Sequence, residues 1–264
     1  MPAKGRKSIF ITGAASGIGR ATALKFAAGG WFVGAYDVAE AGLATLLNEI
    51  GADNGVTGRL DVTDKPAFDA ALAAFGAQTD GKLDLLFNNA GIGRGGPFDQ
   101  QAFEDVLAVV SVNFIGVLNG IHSALPMLKA TPNSMCFTTS SSSATYGMPN
   151  IAVYSATKHA VKGLTEALAI EFRAFGVRAA DTLPGLIDTA ILPPGASAMA
   201  PKEGPFRLTQ PTAVAQAVWD SYTSDKLHWY VPEEIGDLDR AAALNPEAFR
   251  DQLAKGGLFN PAED

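Results

Sequence analysis

Tyr154 and Lys158 stand four residues apart in Tyr-Ser-Ala-Thr-Lys, and a serine run from Ser140 to Ser143 ends eleven residues before the tyrosine. On a helix, residues four apart share a face about one turn from each other, so phenol and ammonium would be neighbours. A tyrosine beside a fixed cation can give and take a proton. Its ordinary pKa is about 10, so the phenolate is scarce at neutral pH, and a nearby positive charge favours the ionised form. The same spacing on an unremarkable helix describes one half-buried ring and one solvated amine. Which reading holds depends on whether the chain builds a site around the pair.

The elements that would position it are legible in the hydropathy pattern. Short apolar runs rich in β-formers alternate with longer alanine- and leucine-rich stretches, as in βαβ units of a parallel sheet covered on both faces. The runs predict strands over Ser8–Thr12, Phe32–Asp37, Val56–Asp61, Leu83–Asn88, Ser134–Thr139, Val177–Leu183 and Leu227–Val231. With 264 residues and 47% hydrophobic content, the chain reads as a single α/β domain over 1–264, a doubly wound, Rossmann-like, seven-stranded parallel sheet. Helix starts are expected at Thr63-Asp64, at Asp99 before the run Phe103, Val106, Leu107 and Val110, and at Thr209-Gln210-Pro211, where proline suits the first turn. The stretch 188–207 breaks the alternation, with Pro193, Pro194, Pro201, Pro205, Gly195 and Gly204. A long irregular stretch after the sixth strand is expected to cover the substrate.

Directly after the first strand comes Thr12-Gly13-Ala14-Ala15-Ser16-Gly17-Ile18-Gly19, then the helical run Arg20 to Ala28. Glycines let the backbone turn sharply and approach a pyrophosphate, whose charge sits against the unpaired amides of a helix N-terminus. Gly13, Ser16, Gly17, Ile18 and Gly19 are therefore candidate dinucleotide ligands. About twenty residues on, Asp37 closes the second strand, where a carboxylate can accept hydrogen bonds from ribose hydroxyls. The same charge repels the 2′-phosphate of NADP, and Ser16 and Val38 occupy the places from which a cation would offset it, so the expected cofactor is NAD. Asp61 and Val62 end the third strand as candidate adenine contacts, and Asn88-Asn89-Ala90-Gly91 ends the fourth, with Asn89, Ala90 and Gly91 beside the cofactor. Their placement at successive strand ends is where such sheets bind ligands.

Composition narrows the partners. The net charge of −7 argues against nucleic acid, which needs a basic surface. Cys136 is the single cysteine, so no intrachain disulfide can form, and its apolar neighbours Met135 and Phe137 predict a buried, inert thiol. His122, His159 and His228 have no carboxylate or cysteine neighbours in sequence, so they are expected to be packing or surface residues and no metal is expected. Met1 to Lys7 is short and basic, without an apolar segment of signal or membrane-spanning length, so a soluble cytoplasmic protein is expected.

These residues together resemble the short-chain dehydrogenase/reductase family, in the form with TGxxxGxG and YxxxK motifs. The resemblance runs from about Ser8 to Thr189 and includes the glycine turn, Asp61, Asn88 to Gly91, Asn113, the serine before the tyrosine, Tyr154, Lys158 and Pro184-Gly185-Leu186-Ile187-Asp188-Thr189. It implies a proton-handling set of Asn113, Ser141, Tyr154 and Lys158. Ser141 is chosen because the family's serine commonly lies thirteen residues before the tyrosine, with Ser140 and Ser142 as neighbouring alternatives. By this resemblance Tyr154 takes a proton from a substrate hydroxyl while Ser141 holds the same oxygen. Lys158 lowers the tyrosine pKa and binds the nicotinamide ribose, and Asn113 places a water through its local backbone. Pro184, Gly185, Ile187 and Thr189 join the cofactor site, the last two at the nicotinamide carboxamide. The resemblance also implies a homo-oligomer, dimer or tetramer. The charged helical segments after His228-Trp229-Tyr230-Val231-Pro232 depart from the usual ending and leave the tetramer in question.

Residues expected to face the substrate are Ile92, Arg94, Phe98, Ser143, Tyr146, Met148, Ile151, Leu186, Ile191 and Met199, a mainly apolar set that suits a small-molecule alcohol or ketone. The expected activity is NAD-dependent interconversion of a secondary alcohol and a ketone. Two alternatives are an NADPH-preferring carbonyl or oxoacyl reductase and a non-catalytic nucleotide-sensing protein, the latter having no need of all four proton-handling residues.

Overall fold

A computed structural model describes residues 3, 5–193 and 195–255. In chain order the elements are β1 (Ser8–Thr12), α1 (Gly17–Ala28), β2 (Phe32–Asp37), α2 (Glu40–Ile50), β3 (Gly55–Arg59), α3 (Lys65–Thr79), β4 (Leu85–Asn88), α4 (Phe103–Val110), α5 (Gly116–Lys129), β5 (Met135–Thr139), α6 (Ala152–Glu171), β6 (Arg178–Pro184), α7 (Ala196–Met199), α8 (Pro211–Ser221), β7 (His228–Val231), α9 (Ile235–Leu244) and α10 (Pro246–Ala254). Among the described residues the strands form one seven-stranded parallel sheet in the order β3-β2-β1-β4-β5-β6-β7. The order reverses between β1 and β4, so connections leave the sheet in opposite directions there and open a crevice at the strands' carboxyl ends.

Strand alternation divides the core. In β1, Phe10 faces one layer with Phe32, Phe68, Phe75 and Leu86, while Ile9 and Ile11 face the other with Phe26, Val33, Leu46 and Phe137. Every residue of β1 is buried, as expected for a central parallel strand covered on both faces. Phe10 stacks on Tyr36 at 4.3 Å between centroids and meets Phe75 edge-on at 5.5 Å, anchoring the layer under α3. Glycines in β2 and β3 make room for these rings: a Cβ on Gly34 would lie 2.6 Å from the Phe75 ring, and one on Gly58 would lie 2.7 Å from the Tyr36 ring.

The expected helix starts hold at two places. The Asp64 carboxylate accepts from the Ala67 amide at 3.0 Å and caps α3, a contact worth about 1 kcal/mol. Pro211 occupies the first turn of α8. Asp99 does not cap α4: it lies in a separate 3-10 turn, Phe98–Gln100, and α4 begins at Phe103 with Ala102 in the cap position. The third strand stops at Arg59 rather than Asp61, because the Asp61 carboxylate accepts from both the amide and the hydroxyl of Thr63 and starts a turn. Other strand boundaries shift by a residue or two. The stretch 188–207 contains the short α7. A parallel bridge between Ile187 and Thr209 pins its two ends together.

A π turn, Ser111–Ile115, joins α4 to α5 in one continuous helical stretch, Phe103–Lys129. By length and composition this is the one helix among the described residues apolar enough to cross a membrane. Here Val117, Ile121, Ala124 and Leu128 are buried in the core layer shared with Phe68 and Val161. Truncating Phe10 to Ala leaves a cavity among Tyr36, Phe68 and Phe75 and should destabilise the fold by about 3–5 kcal/mol. Urea unfolding measures this; a loss below about 1 kcal/mol would contradict the assigned role of the ring.

Candidate active site

The glycine turn is built for close approach. Gly13 and Gly17 adopt φ of +67° and +53°, and a Cβ on Gly19 would sit 2.1 Å from the Gly13 carbonyl oxygen. Ser16 occupies the cap position of α1 without a side-chain capping bond, and the first turn carries no acidic residue, so the amides of that terminus are electrostatically ready for an anion. Asp37 braces the turn from β2. Its carboxylate accepts from the Ala15 amide and from the Ala39 amide, both at 3.0 Å. These residues fit a dinucleotide: a close-approach turn into a helix N-terminus without a side-chain cap, and a fixed carboxylate one strand away.

Asn89 ties three strand ends together. Its Nδ2 donates to the carbonyls of Thr12 and Gly13, each at 3.1 Å, and its Oδ1 accepts from the Thr139 hydroxyl at 3.1 Å. The Thr12 hydroxyl in turn accepts from the amides of Asn89 and Ala90 at 3.0 and 3.1 Å. Sequence reading singled out Asn89, named Thr12 only as the first residue of the glycine motif, and did not single out Thr139. The available signal was their position as the last residues of β1 and β5.

Thr139 also links this lattice to the tyrosine and lysine. Its carbonyl accepts from Lys158 Nζ at 2.7 Å, and that ammonium lies 5.6 Å from the centroid of the Tyr154 ring. Tyr154 and Lys158 are on α6 as their spacing requires. The Ser141 hydroxyl accepts from the Ser143 amide at 3.1 Å and lies near enough to the Tyr154 phenol to favour its ionised form. Ser140 is turned elsewhere, donating to the Lys158 carbonyl at 2.9 Å, which ties β5 to α6. Burial pushes the Tyr154 phenol above its ordinary range while the Ser141 hydroxyl pulls it back. Burial also lowers the Lys158 ammonium to about 8.

Asn113 lies in the π turn, fully buried, and clasps the loop after β4: Oδ1 accepts from the Ile92 amide at 2.8 Å and Nδ2 donates to its carbonyl at 3.0 Å. A Cβ on Gly91 would lie 3.3 Å from Asn113 Oδ1 and 3.8 Å from Lys158 Nζ, so Gly91 separates the two side chains. Val62 packs against Gly116 at the start of α5.

The segment after β6 divides. Thr189 folds over the glycine turn, 2.9 Å from where a Gly17 Cβ would be. The Ile187 side chain is buried with Val214, Ala217 and Val231, which leaves its backbone as the part able to meet a ligand. Gly185 donates to the Val231 carbonyl at 2.8 Å, and its missing side chain makes room for Ile235 and the Pro205 carbonyl, so it serves packing against α9.

The expected substrate residues are not all gathered. Phe98 and Met199 are 67% and 81% exposed, and Arg94 pairs with Asp105 at 3.6 Å. Met148 is buried, and Tyr146 packs at 5.2 Å on Phe249 of α10, a contact that sequence reading missed for want of any periodic link between them. A groove of about 680 Å³ lies between α10 and the first turns of α6, and another of about 790 Å³ between α1 and α8; neither is lined by Tyr154.

The model of the family described as short chain dehydrogenase matches residues 7–198. The chain belongs to the short-chain dehydrogenase family. It is 35% identical to the cyclohexanol dehydrogenase of Acinetobacter sp. strain SE19, over 80% of this chain and 86% of that one. It is also 35% identical to the 3-oxoacyl-acyl-carrier-protein reductase FabG of Thermotoga maritima, over 87% of this chain and 95% of that one. In structure it is similar to a short-chain dehydrogenase/reductase from Burkholderia phymatum in complex with NAD, with a TM-score of 0.79 and 28% identity over 92% and 95% of the two chains. As a member of that family, the chain is an oxidoreductase with a Rossmann-like nucleotide-binding fold.

Replacing Tyr154 with Phe removes the phenolic oxygen beside Lys158 and should lower turnover by about 10²- to 10⁴-fold with dinucleotide binding unchanged, measured by steady-state rates and fluorescence titration. Lys158→Met separates chemistry from stability. Burial disfavours the charged lysine, so below about pH 8 its ammonium costs stability, a cost that fades as pH rises toward 10.5. The variant should lose turnover while its melting temperature at pH 7 is unchanged or higher; a large fall would contradict this account.

Proposed function

We propose that this dehydrogenase uses NAD to interconvert a secondary alcohol and a ketone on an apolar small molecule, with Tyr154 as general acid and base. The observation that carries the reading is the placement of the Lys158 ammonium, fixed by the Thr139 carbonyl beside the Tyr154 ring. When bound, the dinucleotide supplies the hydride acceptor or donor at its nicotinamide.

The chain's own residues handle the proton. Ser141, its hydroxyl oriented by the Ser143 amide, holds the substrate oxygen. Tyr154 Oη receives the hydroxyl proton in the oxidative direction and returns it in the reductive one. A buried phenol whose pKa is raised by desolvation must be assisted to ionise near neutrality, and the Lys158 cation is the group placed to do so. Asn113, by clasping Ile92, keeps the π turn and the loop after β4 in register beside Lys158, where a proton can pass to solvent. Thr189, folded over the glycine turn, is the residue of the stretch 188–207 best placed to reach the nicotinamide.

Asp37 supports NAD. Its carboxylate is braced at the end of β2 by two backbone amides, where ribose hydroxyls can donate to it and a 2′-phosphate would meet like charge. The likeness to a cyclohexanol dehydrogenase supports a compact, apolar alcohol. The equal identity to a 3-oxoacyl reductase favours a second reading, a carbonyl or oxoacyl reductase, whose preference for NADPH is the part the Asp37 argument opposes. The proposal includes a homo-oligomer, because Phe103, Leu107, Ile115 and Ile170 are exposed on helices of one face of the sheet.

Initial rates with NAD and NADP on a panel of secondary, aromatic and sterol alcohols, read by absorbance of the reduced cofactor, decide between the readings. NAD should be preferred by about tenfold or more, the equivalent of roughly 1.4 kcal/mol. Asp37→Ser should narrow that margin. A preference for NADP in the unaltered enzyme would refute the Asp37 argument.

A further inference from the structure

Away from the site, the far edge of the sheet carries a cluster of charges that the proton chemistry does not use. Asp181 on β6 and His228 on β7 are cross-strand partners in the sheet register, and both side chains turn toward α6. Asp181 is fully buried, with Oδ1 2.7 Å from His228 Nδ1 and no hydrogen-bond partner at Oδ2. His228 Nε2 lies 3.3 Å from Glu166 on α6. The histidine is therefore held between two carboxylates, one buried and one half-exposed. The absence of carboxylate neighbours in the sequence around His228 predicted a packing residue; tertiary folding brings the acids to it.

Next to this triad lies a second pair. Lys162, one turn before Glu166 on α6, donates to both oxygens of Asp239 on α9 at 2.9 and 2.7 Å, and Asp239 also accepts from the Tyr230 hydroxyl at 2.6 Å. The Tyr230 ring is 6.4 Å from the His228 ring. The groups facing His228 are thus Asp181 from β6, Glu166 and Lys162 from α6, Tyr230 from β7 and, through Lys162 and Tyr230, Asp239 from α9. With His228 neutral, three carboxylates are opposed by Lys162 alone. With His228 protonated, the imbalance falls to one charge and both ring nitrogens donate to carboxylates.

We propose that Asp181, His228 and Glu166 form a proton-operated clamp that fastens the last strand of the sheet, and through it the start of α9, to the helix carrying Tyr154 and Lys158, closed at mildly acidic and neutral pH and released at alkaline pH. Three elements meet at His228, and α6 presents Lys158, Lys162 and Glu166 on successive turns, so the clamp acts on the element that carries the tyrosine and lysine. The direction follows from linkage. Burial, and to a lesser extent the charge of Lys162, push the His228 cation toward neutrality, but the hydrogen bond and charge of Asp181, with the charge of Glu166, outweigh them and hold the pKa above 6.5. Burial likewise raises the Asp181 carboxyl, so the pair retains its proton more firmly than the separate groups do. A cation whose folded pKa exceeds its unfolded value contributes its full stability below that unfolded value, here 6.5, and loses it as pH rises through the folded one. The clamp therefore weakens from neutral pH upward.

The test uses the full chain, with His228→Gln and Glu166→Gln. NMR titration of the His228 ring should give a midpoint above 6.5, and Glu166→Gln, at a half-exposed position, should lower it; a midpoint at or below 6.5 in the unaltered protein would overturn the clamp. Melting temperature across pH 6 to 9 should show the unaltered protein above His228→Gln by about 3 °C or more at the acid end, with the gap closing at the alkaline end. A gap that is constant across pH would also overturn it, because a merely structural histidine gives parallel curves. Hydrogen exchange, corrected for intrinsic rate, should show the amides of β7 and α9 opening more at pH 9 than at pH 6 in the unaltered protein, with that difference reduced in both variants. Equal reduction of protection at every pH would mark a packing role and overturn the proposal.

Discussion

The site depends on the side-by-side fixing of strand ends. In a parallel sheet the carboxyl ends of strands point their last carbonyls and following amides into open space, and nothing in the ladder itself holds the next residues in place. Here the Asn89 amide bonds the ends of β1 and β5 from the end of β4, and Thr12 and Thr139 return bonds of their own. The glycine turn leaves from Thr12, the loop after β4 from Asn89, and the serine run from Thr139. All three approaches to the cleft are thereby set by one amide and two hydroxyls, each worth only about 1 kcal/mol net. Their importance is geometric rather than energetic.

From that lattice the electrostatics of the site follow. Lys158 donates to the Thr139 carbonyl, so its ammonium is held by the same residue whose hydroxyl bonds Asn89. Burial acts against both charged forms of the pair, raising the tyrosine and lowering the lysine. The partial compensation is local: Ser141 for the phenol, a carbonyl for the ammonium. With its pKa lowered by burial to about 8, the Lys158 ammonium remains charged at neutral pH beside the tyrosine ring.

The far edge of the sheet shows the opposite use of burial. Asp181 is sealed beneath α6 with a histidine as its hydrogen-bond partner, and the paired proton substitutes for the water a lone carboxylate would require. At the crevice, the buried Lys158 ammonium is held beside the Tyr154 ring. At β7 buried charge ties α6 to the sheet and to α9. Both arrangements draw on α6, whose N-terminal half carries Tyr154 and Lys158 and whose middle carries Lys162 and Glu166.

Much of this was determined by sequence alone. Strand order in the chain, the parallel sheet, the glycine turn, Asp37, Asn89 and the helical pairing of Tyr154 with Lys158 all follow from local rules: period-two burial, turn chemistry and the i,i+4 geometry of a helix. Local rules also sufficed for the caps at Asp64 and Pro211, but not at Asp99, where a short 3-10 turn absorbed the capping residue. Only tertiary structure decided the rest. It distinguished Ser141 from Ser140, since neighbouring residues leaving a strand face opposite ways and the choice depends on where α6 lies. It turned the Ile187 side chain into a core cluster, packed Phe249 on Tyr146, and placed Asp181 and Glu166 on His228. The physical reason is the same in each case. Contacts between residues far apart in the chain carry no periodic signal, and they exist only once the elements bearing them have packed.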